Sequence, residues 1–213
     1  MNKAWKTYTE ALFRRMPSLR NTLGKGASED EIMAAEEEIG IVFPEMLRTL
    51  YLDNNGDTGE SVCGMMLGFG FYDLDTLCSE WRSWKETAER MDETDLTGSR
   101  FTSEPVECIK RRYADPLWIP ICGDGGGNHI GIDLDPDVKG RVGQVINFGR
   151  DEESKTVLAE SLNAFLERLT RIVNSDDFFI GEFDGDEIIL LGSDDEEEGS
   201  HLTDYLRKDD SVK

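Results

Sequence analysis

Leu117-Trp118-Ile119-Pro120-Ile121-Cys122-Gly123-Asp124-Gly125-Gly126-Gly127-Asn128-His129-Ile130-Gly131-Ile132-Asp133-Leu134 is the stretch that decides the fold. Its first six residues are apolar and predict a strand. Pro120 has no N–H to give, so this strand lies at an edge or carries a bulge. Gly123–Asn128 reads as a tight turn whose glycines supply positive φ. Ile130, Ile132 and Leu134 then alternate with Gly131 and Asp133, the pattern of a half-buried strand. A second turn runs from Pro136 to Gly140. Beyond it Val142, Gln144, Ile146 and Phe148 alternate with Gly143, Val145 and Asn147 on a third strand. Short turns between three strands imply an antiparallel meander.

Downstream, Val157, Leu158, Leu162, Phe165, Leu166, Leu169, Ile172 and Val173 give a wide apolar stripe and predict one helix over residues 155–173. Short strands are expected at 178–183 and 186–191. Asp184 to Glu198 holds eight acids and no base, so Asp194–Glu198 reads as a solvated, mobile spacer. The remainder from His201 has room for one helical turn. Upstream, Trp5, Tyr8, Leu12 and Met16 lie on one face of a helix over 4–16 that Pro17 ends. Ser28 and Glu31 have capping-box spacing. Ile32, Ala35 and Ile39 follow as a stripe, with Gly40 as the stop. Pro44 opens another helix that turns Met46, Leu47, Leu50 and Tyr51 inward, closed by Asn54-Asn55-Gly56. Residues 61–72 predict a strand or hairpin. Asp73 caps a helix bearing Leu74, Leu77, Cys78, Trp81, Trp84 and Ala88. Residues 92–105 read as a surface loop and Val106–Tyr113 as a short helix. The fold class is α+β, helices on a mostly antiparallel sheet, in a single domain over 1–190 with an acidic segment at 191–213.

Charge narrows the function. The chain has 45 Asp plus Glu against 23 Lys plus Arg, a net −22 over 213 residues. An acidic surface repels phosphate backbones and attracts cationic proteins, so direct nucleic-acid binding is not expected and a basic protein partner is. Residues 1–25 alone are basic. Cys63, Cys78, Cys108 and Cys122 form no CxxC pair, which argues against zinc and for reduced thiols in a cytoplasmic protein. No apolar run is long enough for a membrane span, and the N-terminus has no secretory pattern.

No catalytic constellation emerges. The glycine loop at 123–128 precedes a strand and carries Asp124, unlike a phosphate cradle. Asp53, Asn55 and Asp57 match the first three odd positions of a calcium loop, but Thr58 and Gly64 stand where glycine and glutamate are needed. His129 and His201, the two histidines, lie in no nucleophile motif. The expectation is no cofactor, no metal and no enzymatic activity. Trp81 is expected in the core; Trp118, beside the glycine loop, is a candidate interface anchor.

Several stretches together resemble the SUKH superfamily: Ala27-Ser28 with Glu29, Ile32, Glu36, Ile39-Gly40 and Phe43-Pro44; Asn55-Gly56; Trp118-Ile119-Pro120-Ile121, Asp124 to Asn128 and Ile132 to Pro136; and Gly140, Gly143 to Ile146, Leu158-Ala159, Ser161-Leu162 and Phe165-Leu166. The resemblance covers roughly residues 5–185. It implies helices packed on a strongly curved antiparallel sheet and a function in binding. Bacterial members are toxin-immunity proteins, often against nucleases; fungal members resemble regulators of cell-wall synthesis. The resemblance and the charge lead first to an immunity protein that neutralises a toxin domain, and second to a regulatory scaffold for an endogenous partner. The expected partner-binding residues are Asn55, Asp57, Trp118, Asp124, Asn128, Asp133 and Asp135, converging on one acidic hairpin and the neighbouring turn.

Overall fold

The chain enters its fold through helix α1 (Lys3–Arg15), a 3-10 turn (Pro17–Asn21), α2 (Glu29–Ile39) and α3 (Glu45–Asp53). A short strand β1 (Gly70–Phe71) leads into α4 (Leu74–Arg90) and α5 (Glu93–Leu96). Strands β2 (Thr102–Glu104), β3 (Trp118–Gly123), β4 (Asn128–Asp133), β5 (Gln144–Gly149) and β6 (Ser154–Ala159) follow, then α6 (Leu162–Val173), the hairpin β7 (Phe178–Phe183) and β8 (Asp186–Leu191), and α7 (Leu202–Lys208). These elements come from a computed structural model that describes residues 2–58, 63–195 and 199–208. Residues 61–62 of the expected hairpin, Glu196–Glu198 of the acidic run and the last five residues lie outside the described ones.

The six-stranded sheet has the order β1-β3-β4-β5-β6-β2, and β7-β8 form a second sheet. The meander is antiparallel, as expected, with Ile132 opposite both Ile119 and Val145. Pro120 takes the bulge: pairing shifts between Pro120 and Cys122. The adjacent β1 pairs only with Cys122 and Gly123, so nothing on that edge calls for an N–H at Pro120. The sheet is mixed, because β2 runs parallel to β6.

Caps fall where the residue types put them. Ser28 and Glu31 form the full capping box, with Gly40 in the left-handed region behind it. Asp73 accepts from the Thr76 N–H. Pro44 sits at the N-cap of α3, one place before the first helical residue.

Five expectations are corrected. Residues 155–159 are a strand, and the helix begins only at Leu162, capped by Ser161. Adjacent Val157 and Leu158 serve opposite faces of β6, which a helical stripe would not allow. Residues 63–69 are turns, leaving two strand residues at β1. The stretch 92–105 holds α5 and β2 rather than one loop, and 106–113 has no helix. Finally, β4 is not half-buried: His129 through Asp133 are all buried.

Both faces of the meander are covered. One face carries Ile119, Ile121, Ile130, Ile132, Val145 and Leu158 against Tyr8, Leu12, Leu47, Leu50, Leu77, Phe165 and Leu169 of the helices. The other carries Trp118, Ile146 and Phe148, roofed by Ile109 with Trp84, Cys108 and Val157 beside it. The described part of the acidic C-terminal segment is docked on this body. Leu202 and Leu206 enter the main core, and buried Arg168 donates to the Leu206 carbonyl at 2.7 Å.

Lys155 is fully buried on the second face. Its ammonium donates to the Glu152 carbonyl at 2.8 Å and lies 5.0 Å from the Phe101 ring centroid and 5.6 Å from that of Trp118. Burial pushes this amine down to about 8 from its ordinary 10.5. Between those values the unfolded chain holds a proton that the folded one has released, so stability rises with pH across that window. Lys155→Met is expected to raise stability at pH 7 by roughly 1–3 kcal/mol, because an apolar side chain of similar length replaces a desolvated charge. Urea denaturation at pH 7 and pH 9.5 checks this: the gain shrinks at the higher pH, and a loss at pH 7 would mean the ring contacts outweigh burial.

Candidate functional site

The turn before β1, the start of α4 and the β3–β4 turn meet at one end of the sheet. Each is locked by a side chain onto backbone. Asp57 accepts from the N–H groups of Met65 (3.1 Å) and Phe71 (2.8 Å). Asn55 accepts from the Leu74 N–H at 2.9 Å. Gly56, at φ +75°, lies so close to Asp73 that a Cβ would stand 2.4 Å from the Asp73 nitrogen, so only glycine fits this crossing.

Asp124 organises the glycine turn. It accepts from the N–H groups of Gly126 (2.7 Å) and Asn128 (3.1 Å), and from the Asn128 side chain at 2.8 Å. Gly125 and Gly127 take positive φ. Burial works to raise the Asp124 carboxyl, but the hydrogen bonds from Asn128 and Gly126 outweigh it and hold the group below its ordinary value. Asn128 in turn accepts from the Asp151 N–H.

These elements enclose an open cleft of about 520 Å³ lined by Asp57, Tyr72, Asp73, Glu80, Gly123 and Asp124 among others. Partial burial raises the Glu80 carboxyl. The Tyr72 ring lies directly on Gly123, where a Cβ would meet its hydroxyl at 1.7 Å. Behind it stands a buried relay. His129 is 1% exposed. Its Nε2 accepts from Trp84 Nε1 at 2.6 Å, and its Nδ1 lies 2.8 Å from the Tyr72 hydroxyl. An Nε2 that accepts carries no proton, so the neutral ring is protonated at Nδ1 and donates to Tyr72. Burial pushes His129 down to about 4, against a smaller opposing pull from Asp124. Glu80 lies 3.8 Å from His129 Nε2, and with the imidazole neutral near pH 7 that approach is not an ion pair.

The structure therefore brings Asn55, Asp57, Asp124 and Asn128 to one end, and separates the rest. Asp133 is at the far end of β4, five residues and roughly 17 Å from Asn128 at the usual strand rise. It is fully buried, where it accepts from Gln144 Nε2 at 2.8 Å, and burial lifts its carboxyl to about 6. Trp118 is 1% exposed and packs on Phe148, so it cannot anchor a surface partner as expected. Asp135 remains partly exposed, paired with Lys110. The supposed convergence of Asp124, Asp133 and Asp135 on one hairpin fails because the two turns of a meander lie at opposite ends of their shared strand. Tyr72, Glu80 and the Trp84–His129 relay were not foreseen as site groups. Asp73, Thr76 and Glu80, spaced three and four apart alongside the Leu74, Leu77 and Trp81 stripe, were the one readable signal. Among the described residues no three His, Cys, Asp or Glu side chains gather in a metal-holding group.

The chain matches the model of the SMI1 / KNR4 family (SUKH-1) over residues 26–168. It is 27% identical to the cell wall assembly regulator SMI1 of Saccharomyces cerevisiae, over 84% of this chain and 43% of that protein. It is 31% identical to the cell wall biosynthesis/cell cycle regulator smi1 of Schizosaccharomyces pombe, over 78% of this chain and 35% of that protein. With the glucan synthesis regulatory protein of Neurospora crassa the identity is 26%, over 84% and 39%. The chain thus spans less than half the length of each of these relatives.

The relay has a measurable signature. His129 is expected to titrate near pH 4 and to show the Nδ1-protonated tautomer at pH 7 in imidazole nitrogen NMR spectra. Because the folded value is depressed, the unfolded chain binds the extra proton between about 4 and 6.5, and folding stability falls as pH drops through that window. Trp84→Phe removes the donor at Nε2 and should move the midpoint upward. A midpoint near 6.5 in the wild type would show that the relay is not closed.

Proposed function

The chain belongs to the SMI1 / KNR4 family (SUKH-1), and from that membership we propose that it is a non-enzymatic regulatory protein that binds an endogenous protein partner in the control of cell-wall synthesis. The relatives, a cell wall assembly regulator and a glucan synthesis regulatory protein among them, support this over toxin neutralisation. The observation that carries the binding mode is the cleft at the β3–β4 turn, where Asp57, Asp73, Glu80 and Asp124 face one open space. Three of these carboxylates are fixed by backbone N–H groups, so little side-chain entropy is lost when a Lys or Arg of the partner enters. Glu80 accepts no such bond among the described residues and supplies the adaptable charge. A basic partner also fits the net −22, which speeds encounter at low salt.

The reading as a binding protein rather than an enzyme rests on the chemistry of the cleft. The imidazole behind it, His129, has both nitrogens occupied, one by Trp84 and one by Tyr72, and burial holds it neutral. A base so enclosed has no free lone pair for a substrate. A cytoplasmic site of action is part of the proposal; among the described residues no helix is long and apolar enough to cross a membrane.

The test is transplantation. This chain replaces the matching stretch of the Saccharomyces cerevisiae relative in cells lacking it, and cell-wall glucan is measured. Restoration of wall glucan is expected. Glu80→Lys, which touches no cap, should weaken partner binding by about tenfold, or roughly 1.4 kcal/mol, and restore less. A folded chimera with no effect on glucan would sink the regulatory reading, whereas a Glu80→Lys chimera that works as well as the parent would sink only the cleft.

A further inference from the structure

The β7–β8 hairpin is a sheet of its own, and its two outer edges are not alike. The edge of β8 is held at two carbonyls and hemmed in by the turn at Cys63–Gly68 and the segment from Gly199: the Cys63 thiol donates to the Glu187 carbonyl, and the Ser200 N–H donates to the Leu191 carbonyl at 2.9 Å. Among the described residues the edge of β7 is occupied only at its root, where Arg15 donates to the Phe178 carbonyl at 2.7 Å and lies 4.8 Å over the Phe178 ring. The turn fixes which groups point outward. Phe183 pairs with Asp186 across a two-residue turn, with Asp184 at φ 53° and Gly185 at φ 89°. In such a turn the flanking pair exchanges hydrogen bonds. Residues 179, 181 and 183 therefore bond to β8, and 178, 180 and 182 turn their N–H and C=O groups outward. The bonds to Phe178 and Glu187 fall in this outward phase, as they must. Past Phe178, no backbone partner is seen among the described residues for Ile180 or Glu182.

The side chains along this edge have one chemistry. Phe183 is 63% exposed and Ile180 39%. Around them stand Glu182, Asp184, Asp186 and Glu187, in a stretch from Phe178 to Leu191 that contains no Lys or Arg. An open strand edge with exposed apolar groups is a template for strand addition. Its charge rejects a second copy of itself, because acids would face acids across the new ladder. We propose that the outer edge of β7 docks an extended, basic segment of a protein partner as a third strand, with backbone bonds at Ile180 and Glu182, apolar contact at Ile180 and Phe183, and Lys or Arg of the partner against the surrounding carboxylates. This surface is separate from the β3–β4 cleft and stands or falls independently of it.

The probe is the synthetic peptide acetyl-Lys-Val-Lys-Val-Lys-Val-Lys-amide, titrated into the full chain by calorimetry and followed by amide NMR, with the Glu-for-Lys peptide as control. Expected are binding of the basic peptide alone and amide shifts centred on Ile180 and Glu182. Ile180→Pro deletes an outward N–H together with the isoleucine side chain and leaves the ladder to β8, so the variant should keep its fold and lose at least tenfold in affinity. Glu182→Gln should lose several-fold and lower the salt dependence. Glu80→Lys in the cleft should leave this binding unchanged. Should Ile180→Pro not fold, backbone N-methylation of the peptide removes the same ladder from the other side. Wild-type affinity in a folded Ile180→Pro variant, undiminished binding of the N-methylated peptide, shifts centred on the cleft, equal binding of the acidic peptide, absence of binding at millimolar peptide, or self-association through this edge would each overturn the proposal.

Discussion

Burial of the β3–β5 meander on both faces is the constraint on which the rest depends. An antiparallel sheet of this size can leave one face to water, and then its polar residues need no partners. Here the helices cover one face, and the segment around Ile109, with the edge of α4, covers the other. Polar groups on the second face then need internal partners, and among the described residues the buried Trp118 Nε1–H is left without a hydrogen bond. Asp133 is matched by Gln144, His129 by Trp84 and Tyr72, and Lys155 by a carbonyl and two aromatic rings. These pairings are positional requirements. Gly131 illustrates them: a Cβ there would meet the Ile119 carbonyl oxygen at 2.2 Å, so the close approach of β3 and β4 excludes a side chain at the centre of that face.

The candidate site inherits its rigidity from this arrangement. Tyr72 follows β1, which is anchored on β3, and its hydroxyl is held by His129, itself held by Trp84 from α4. The floor of the cleft is thus tied to sheet and helix at once. Its walls are the loops that cap α4 and turn β3 into β4. Loops on a rigid frame are the usual carriers of recognition, since they vary without disturbing the core.

What was legible in the sequence follows local physics. Alternation gave the meander, Ser28 and Asp73 announced their helices, and the last two strands were expected at 178–183 and 186–191, where they lie. What was not legible depends on distant partners. The strand at 154–159 runs almost directly into α6, and a short apolar run does not by itself distinguish strand from helix. Three polar residues, Thr102 to Glu104, become a strand because β6 lies beside them. Trp118 and Asp133 read as surface groups because nothing local shows that residues 101–113 fold back across them. Two members of the expected acidic set, Asp57 and Asp124, do share the cleft; the hairpin logic that joined them to Asp133 and Asp135 ignored the length of β4.

The net charge divides along the same line. Many of the acids that drew attention are structural. Asp57, Asp73 and Asp124 hold backbone N–H groups, Asp115 accepts from Leu117 and pairs with Arg112, and Asp133 is enclosed. Hydrogen bonds that satisfy a carboxylate at a turn also limit how far it can shift toward a partner, so such groups contribute field and shape more than adaptable contact. Adaptable negative charge lies elsewhere, at Glu80 on the wall of the cleft and at Glu182, Asp184 and Asp186 of the hairpin, whose neighbour Glu187 is already held by the Ser18 hydroxyl. A cationic partner approaching this protein is attracted by the whole charge over about a Debye length, roughly 8 Å at physiological salt, but can form close ion pairs most readily where carboxylates are not already committed to the fold. Composition alone cannot separate these two populations of acid. The distinction appears only when each carboxylate is followed to the donor that holds it.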